Sequence, residues 1–444
     1  MPEVSYLFPS TSTFEKQTGA NKLILAHQSE LNELNTIPCF FWGSLVDPYI
    51  TARCWMLIAK VVRSVFMPIA PKIKDPIITA GTSKMRFEGF SSDNSVYVRL
   101  DMKPEAIDGE FIASGTTNVD FNDPMLNAMN AIQKNEKVIL SVGHQEMQLI
   151  TEKAKEHERK VTLPERWIKG LSSVQLYLAD MELRFEMNKI QIIQLFQSIP
   201  KGSPKEDFYI SFRAGKYVLN SMSAPNSLRV AGIERLRLLE TVVPLADKLS
   251  VYSSIDQSAS AFVCEFGRMQ LLLALSPELT RGFSGEGKAL ENLIQDVPLE
   301  YVYGLSSILK ANETFNPTLV SVENDIDFST MDHLTSSLSS MGLLGYDLSN
   351  REHFYRRLPF KMERILSLNP RLKNAQNIIA NEEIVIQDRK TNYVEAKVKG
   401  TDVWHKVIID NDKPWCTCQW WTKYQGSRGI CKHVLAVKIH ENSN

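Results

Sequence analysis

Cysteine is scarce in this chain, with six among 444 residues. Cys39, Cys54 and Cys264 are scattered through apolar surroundings and form no disulfide framework. That usage points to a reducing compartment and a cytoplasmic protein. No positively charged start followed by an apolar run marks a signal peptide. The most apolar stretch, CWMLIAKVVRSVFMPIA, is interrupted by Lys60 and Arg63 and is too short to span a bilayer. It reads as a buried amphipathic helix, and no membrane partner is expected. An excess of either charge is missing too. The net charge of -1 excludes a global cationic field and leaves any nucleic-acid contact to local patches.

Catalytic signatures are equally thin. There is no nucleophile elbow and no His-Glu zincin motif. Acid pairs such as Glu382–Glu383 lie at a strand start, where they cannot face one another across a substrate. His144, His157 and His353 fall in turns or polar stretches without a cysteine or carboxylate at ligand spacing. GFSGEGKA, Gly282–Ala289, satisfies G-x-x-x-x-G-K, but Ala289 stands where magnesium needs a hydroxyl and Glu286 puts negative charge into the cradle. A turn is the better reading. No small-molecule substrate is indicated, and the chain reads as a non-enzyme. A site assembled from distant residues between two lobes is the residual enzymatic reading.

What is present is an ordinary globular composition, 43% hydrophobic and 23% charged, over a length that suits two to four domains. The fold class reads as α+β and multidomain. Residues 1–74 read as an irregular start and a helix from about Pro48 to Met67, closed by the prolines of MPIAPKIKDP. Residues 75–171 form a first α+β lobe. KMRFEGF and SVYVRLDM make a hairpin across SSDN, PMLNAMNAI a helix, KVILSVGHQEMQLIT a second hairpin, and ERKVTL a strand. Residues 172–204, SSVQLYLADMELRFEMNKIQIIQLFQSI and its tail, read as connecting helices. Residues 205–285 repeat the order: the hairpin DFYISFRAGKYVLNSM, the helix GIERLRLLETVVPLAD, then the strands KLSVYSS, SAFVCEFG and MQLLLALS. Both blocks end alike, in LPERWIKGL and LSPELTRGF, an internal repeat of about 113 residues. The paired lobes resemble those of DNA sliding clamps in architecture alone.

Residues 286–373 read as a winged-helix-like domain. Its helices are PLEYVYGLSSILKA, NPTLVSVEND and DFSTMDHLTSSLSSMG, and its wing is LLGYDLSNREHFYRRLPF. In DNA readers of that kind the third helix enters the major groove. Here it carries Asp327 and Asp332 and no Lys or Arg, so protein docking or a structural role suits it better.

The informative stretch is residues 374–444. A hairpin, YVEAKV and WHKVIID across KGTD, leads into Cys416-x-Cys418, and twelve residues later Cys431-x-His433 opens a helical pattern. Zinc takes four nitrogen or sulfur ligands in a tetrahedron. A turning strand end can point two sulfurs inward, and a helix start can supply the other pair. Four protein ligands close the site, so one structural Zn2+ is expected. Zinc contributes roughly 10–16 kcal/mol in such peptide sites, enough to dominate a terminal ββα domain whose own core is marginal.

The Cys416, Cys418, Cys431 and His433 pattern resembles the SWIM-type zinc finger at all four ligand positions. The wider chain resembles a bacterial SWIM zinc-finger family with a long N-terminal region, through RFEGFSSDNSVYVRLDM, EAIDGEF, GTTNVDFNDPM, ERKVTLPERWIKGL, RGFSGEG and GLLGYDL. That resemblance implies a nucleic-acid or protein interaction module. It also implies company with AAA+ ATPases of the MoxR type and von Willebrand A-domain proteins.

From Lys413 to His440 the residues Lys413, Lys423, Arg428, Lys432 and Lys438 are basic and none is acidic. Trp415, Trp420, Trp421 and Tyr424 are interleaved with them. The aromatics are either base-stacking platforms beside phosphate-binding cations or the core around zinc. Arg356 and Arg357, in the basic segment Arg351–Lys373, would extend such a patch. Two readings follow. One is an adaptor that binds nucleic acid, DNA in preference to RNA, through Lys413, Trp420, Trp421, Lys423, Tyr424, Arg428, Lys432, Arg356 and Arg357. The other is a protein-interaction scaffold, with a MoxR-type AAA+ ATPase as a candidate partner.

Overall fold

The computed structural model describes residues 13–17, 20–24, 39–67, 76–161, 165–202, 204, 206–230, 232–277, 279, 282–284, 292, 305, 308, 312–356, 369–426 and 429–442. Helices and strands are mixed throughout. The central feature is an eight-stranded antiparallel sheet whose order runs Met181–Asn188, Lys248–Ser254, Ser260–Phe266, Met269–Leu275, Val96–Met102, Met85–Phe90, Ile77–Ala80 and Gly115–Asn118. Its middle seam pairs Met269–Leu275 with Val96–Met102, Leu271 opposite Leu100, so strands from residues 75–171 and 205–285 share one sheet. The fully apolar faces of these strands explain the seam: Val98, Leu100, Leu271 and Leu273 are wholly buried.

The sequence hairpins stand where alternation placed them. Met85–Phe90 and Val96–Met102 meet across the Ser91–Ser95 turn, in which Asn94 takes a positive φ and Asp93 accepts from the Ser95 amide. Phe208–Arg213 and Lys216–Asn220 meet across Ala214 and Gly215, both with positive φ, the requirement of a two-residue hairpin loop. The two similar block ends converge on one place. A Cβ on Gly170 would lie 2.9 Å from the Asn94 side chain, and one on Gly282 only 2.0 Å from the Asn94 carbonyl oxygen. The glycines are there because the chain passes that turn too closely for any side chain.

Several expectations are corrected. The N-terminal region is not simply helical. Thr13–Gln17 pairs with Ala20–Ile24, and Cys39–Leu45 lies in a five-stranded sheet between Ile139–Gly143 and Ile107–Phe111. The helix after it runs Pro48–Arg63. The supposed connecting helices hold a strand, Met181–Asn188, between helices Glu165–Ala179 and Lys189–Gln197. MELRFEMN alternates with period two, but its leucine and methionine also fit helical spacing. GIERLRLLETVVPLAD is one α-helical turn, Ile233–Leu236, followed by 3-10 turns. The β-branched run Thr241–Val243 and the φ-locked Pro244 lie beyond the α-helical turn and break the 3-10 stretch after Thr241.

In the region read as a winged helix, Pro317–Glu323 and Phe328–Ser340 are helical, and Leu344–Asp347 pairs with Glu352–Tyr355. PLEYVYGLSSILKA lies almost wholly outside the described residues. The hairpin is fastened to the large sheet by buried charge. Arg356 Nη2 donates to both Glu88 carboxylate oxygens at 2.7 Å, and its Nη1 donates to the Leu171 carbonyl at 2.8 Å. Arg99 donates to the Tyr346 carbonyl at 2.9 Å, and the Arg86 guanidinium sits 3.7 Å from the Phe354 ring centre. A second hydrophobic core begins at Leu372 and runs to Ile439, separate from the one that ends at Leu348. Among the described residues no helix is long and apolar enough to cross a membrane.

Candidate metal centre

The terminal domain opens with helix Pro370–Ala380. An antiparallel sheet follows, in the order Ile384–Lys390, Tyr393–Lys399, Trp404–Asp410 and Lys413–Cys416, then helices Gln419–Tyr424 and Lys432–Asn442. Strand alternation turns Ala396, Val398, Val407, Ile409 and Cys416 toward the helices and into the second core. Cys416 therefore ends its strand pointing inward. Cys418 caps helix Gln419–Tyr424, its sulfur accepting from the Trp421 amide at 3.4 Å. Cys431 plays the same part for the last helix, accepting from the Val434 amide at 3.4 Å. Oriented amides at a helix N-terminus favour thiolate, yet the Cys431 thiol is raised: the bond from Cys416 lowers it, and the bond to Cys418 together with burial raises it more.

Cys416, Cys418, Cys431 and His433 are all buried, with their ligand atoms within 4.8 Å of one another. His433 Nδ1 lies 3.9 Å from Cys416 Sγ. A tetrahedron built on ordinary zinc–sulfur and zinc–nitrogen lengths has edges of roughly 3.5–3.8 Å, so the cluster is close to the size that zinc demands. The chemistry agrees. Hydrogen bonds from Cys416 and Cys431 hold the Cys418 thiol below its ordinary value, while the bond to Cys418 pushes Cys416 up. Three sulfurs so close share protons, and a divalent cation is what lets them all ionise. The buried donors fit one structural Zn2+, and four protein ligands leave no open position. The His405 ring packs on His433 with centres 4.4 Å apart, and His405 Nδ1 lies 3.4 Å from the Thr417 hydroxyl. His405 is thus held against the site without being one of its four donors.

The proposed nucleic-acid residues divide. Lys413 and Lys423 are exposed, and Trp420, Tyr424 and Lys432 are half-buried. Trp420 Nε1 donates to the Gly429 carbonyl, its ring lies 4.6 Å from Tyr424, and the Arg371 guanidinium stacks 4.5 Å from it. Trp421, by contrast, is 8% exposed and belongs to the core beside Cys418, so it is no platform. Arg356 is also withdrawn, since at 3% exposure it is the buried partner of Glu88. Arg357 and Arg428 lie outside the described residues. Sequence reasoning missed Arg371, and it missed a set on the sheet's outer face: Trp404, Lys397 and Lys406. The alternation of WHKVIID carried that signal, because it sets Trp404, Lys406 and Ile408 on the side opposite Val407 and Ile409.

The SWIM zinc finger model matches residues 405–442, which hold all four donors. This stretch is a SWIM zinc finger. No curated protein matches the chain. Among solved structures the chain is similar to the crystal structure of Proliferating Cellular Nuclear Antigen from Entamoeba histolytica. The identity is 11% and the TM-score 0.38, over 54% of this chain and 99% of that one. A likeness that distant leaves the clamp-like arrangement of the lobes a proposal.

Proposed function

We propose that this chain is a zinc-stapled, non-enzymatic adaptor whose terminal domain binds nucleic acid, DNA in preference to RNA. The observation that carries the reading is the charge asymmetry of Lys413–His440, five cations without a carboxylate. Lys413 and Lys423 are exposed, and Lys423 lies 5.3 Å from the Tyr424 ring of the Arg371–Trp420–Tyr424 stack. Cations without local counter-ions attract phosphate, and an aromatic stack beside them adds sequence-tolerant affinity. The domain divisions stated from the sequence, including two lobes and a winged-helix-like unit, are part of this proposal. In it the metal acts by making a small domain rigid enough to hold its surface residues in register.

Anisotropy of labelled DNA, titrated with the zinc-loaded protein across a salt series, tests the reading. Each lysine that neutralises a phosphate adds ~0.7–0.9 to the slope of log affinity against log salt. Lys423→Ala/Lys432→Ala should therefore lower the slope by about 1.5 and weaken binding. No binding by the wild type, or no salt slope, would end the reading.

A second reading, a scaffold subunit that docks protein, is favoured by a separate observation. Leu319, Val322 and Phe328 are 59%, 69% and 62% exposed around helix Pro317–Glu323. Three large apolar side chains together suit a protein partner, an AAA+ ATPase of the MoxR type among the candidates. A partner that stays bound through nuclease and high salt, and is lost in Val322→Asp, would favour it.

A further inference from the structure

We propose that the outer face of the terminal four-stranded sheet binds single-stranded DNA, with bases stacked on Trp404 and Trp415 and phosphates held by Lys397 and Lys413. This rests on the nucleic-acid reading above and assigns it a surface and a substrate class. The sheet's inner face is covered by helices Pro370–Ala380 and Lys432–Asn442, so the residues that alternate with the core ones face solvent. Solvated faces of antiparallel sheets are normally polar. This one shows Trp404 at 49%, Trp415 at 45% and Val385 at 51% exposure.

Register places these groups in relation. Trp415 lies opposite Ile408, Trp404 opposite Lys399, and Lys397 opposite Lys406. Trp404 and Ile408 are four strand positions apart, about 13 Å at ~3.3 Å per residue. The two indoles can therefore take different bases of one strand, with Lys397 and Lys406 between them. Lys406 is already neutralised by Glu395, which leaves Lys397 as the cation of this row that a phosphate can take. Two carboxylates of this face are ion-paired, and a third, Asp410, lies opposite Lys413 and accepts from the Asn411 side-chain amide at 2.9 Å. Glu395 pairs with Lys406 at 2.7 Å and accepts from the Tyr393 hydroxyl, and Asp388 pairs with Lys390 at 2.7 Å. Lys397 and Lys413 have no ionic partner among the described residues.

The face suits a single strand because indoles stack only on bases that are splayed open. A four-stranded sheet is also too wide for a major groove that admits a helix or a two-stranded ribbon. The hydroxyls nearest the indoles are engaged, Thr417 accepting from the Lys406 amide at 3.0 Å and Tyr393 donating to Glu395 at 2.9 Å, which leaves none to select a ribose 2′-hydroxyl. DNA is therefore the committed ligand, and a protein strand, which would gain nothing from opposed lysines, is disfavoured.

The test uses the full chain loaded with zinc and a labelled oligothymidylate of about 20 nucleotides, beside RNA of matching sequence and a duplex. Base–aromatic stacking predicts about a tenfold loss for each indole removed. Trp404→Ala/Trp415→Ala should thus bind about a hundredfold more weakly with its zinc content unchanged, and Trp404→Phe/Trp415→Phe should recover most of the loss. If the alanine variant loses zinc, Lys397→Glu at its exposed position decides instead: a loss of about tenfold supports the proposal, and twofold or less overturns it. Overturning results are a folded double variant within twofold of wild type, or tighter binding of duplex or RNA than of single-stranded DNA. If Lys423→Ala/Lys432→Ala still weakens binding in those cases, only this surface assignment falls. If the wild type binds no nucleic acid, both fall.

Discussion

Replacing Arg356 by alanine separates a structural cation from a surface one. Arg356 and Glu88 are each 3% exposed, and Arg356 gives Glu88 two contacts at 2.7 Å. Once the guanidinium is gone, Glu88 keeps the Tyr97 hydroxyl at 2.5 Å, and the Leu171 carbonyl loses its 2.8 Å donor. Breaking a buried pair from one side costs about 3–5 kcal/mol, because the remaining charge stays desolvated. Arg356→Ala should therefore lower the unfolding free energy of the body, read by urea titration, by that amount. Arg356→Met/Glu88→Gln should recover much of the loss, since replacing both partners with neutral groups of similar volume is far less costly. The double-mutant cycle should give a coupling of about 2–3 kcal/mol. DNA affinity of folded Arg356→Ala should match the wild type, because the side chain never reaches solvent. A loss below about 1 kcal/mol together with weaker DNA binding would refute the reasoning and return Arg356 to the surface.

Three further outcomes follow from the geometry. Chelation should release amide protection across Val434–Val437 while the large sheet stays protected, because the two cores are separate; hydrogen exchange with mass spectrometry reads this directly. Burial holds His353, between Phe315 and Tyr346, down at about 4 against an ordinary 6.5. From pH 6.5 down to about 4 the unfolded chain takes up a proton that the folded one refuses. Stability should fall by about 1.4 kcal/mol per pH unit in that window, and His353→Phe should flatten the slope measured by urea titration. Gly282→Ala should cost more than 3 kcal/mol, since its Cβ would meet the Asn94 backbone at 2.0 Å at a φ of +51°. Gly267→Ala, at positive φ but in open space, should cost about 1–2 kcal/mol in the same denaturation assay.

How far the sequence was legible depended on whether a signal was local. The metal donors were readable because each lies beside its partner at the end of a regular element, so spacing alone conveys the geometry. Hairpins with positive-φ turns, such as Ala214–Gly215, were readable for the same reason. Met181–Asn188 was not, because its apolar residues satisfy two periods at once and only pairing with Lys248–Ser254 decides between them. Arg356 was misjudged because its partner, Glu88, is 268 positions away in the chain. A cation in a basic run reads as exposed until the fold brings a carboxylate to it. Trp421 failed likewise: adjacent tryptophans look equivalent in sequence, yet the rotation of about 100° between successive helical residues sends Trp421 inward and leaves Trp420 half out. The outer sheet face was written in the alternation of WHKVIID, but its meaning required knowing which side the helices cover.

The central claim is that Cys416, Cys418, Cys431 and His433 close around one metal ion. Elemental analysis of protein purified without added metal measures it most directly. The wild type should carry one zinc per chain and Cys431→Ser should carry none. A metal-free wild type that is nonetheless folded through residues 405–442 would contradict it.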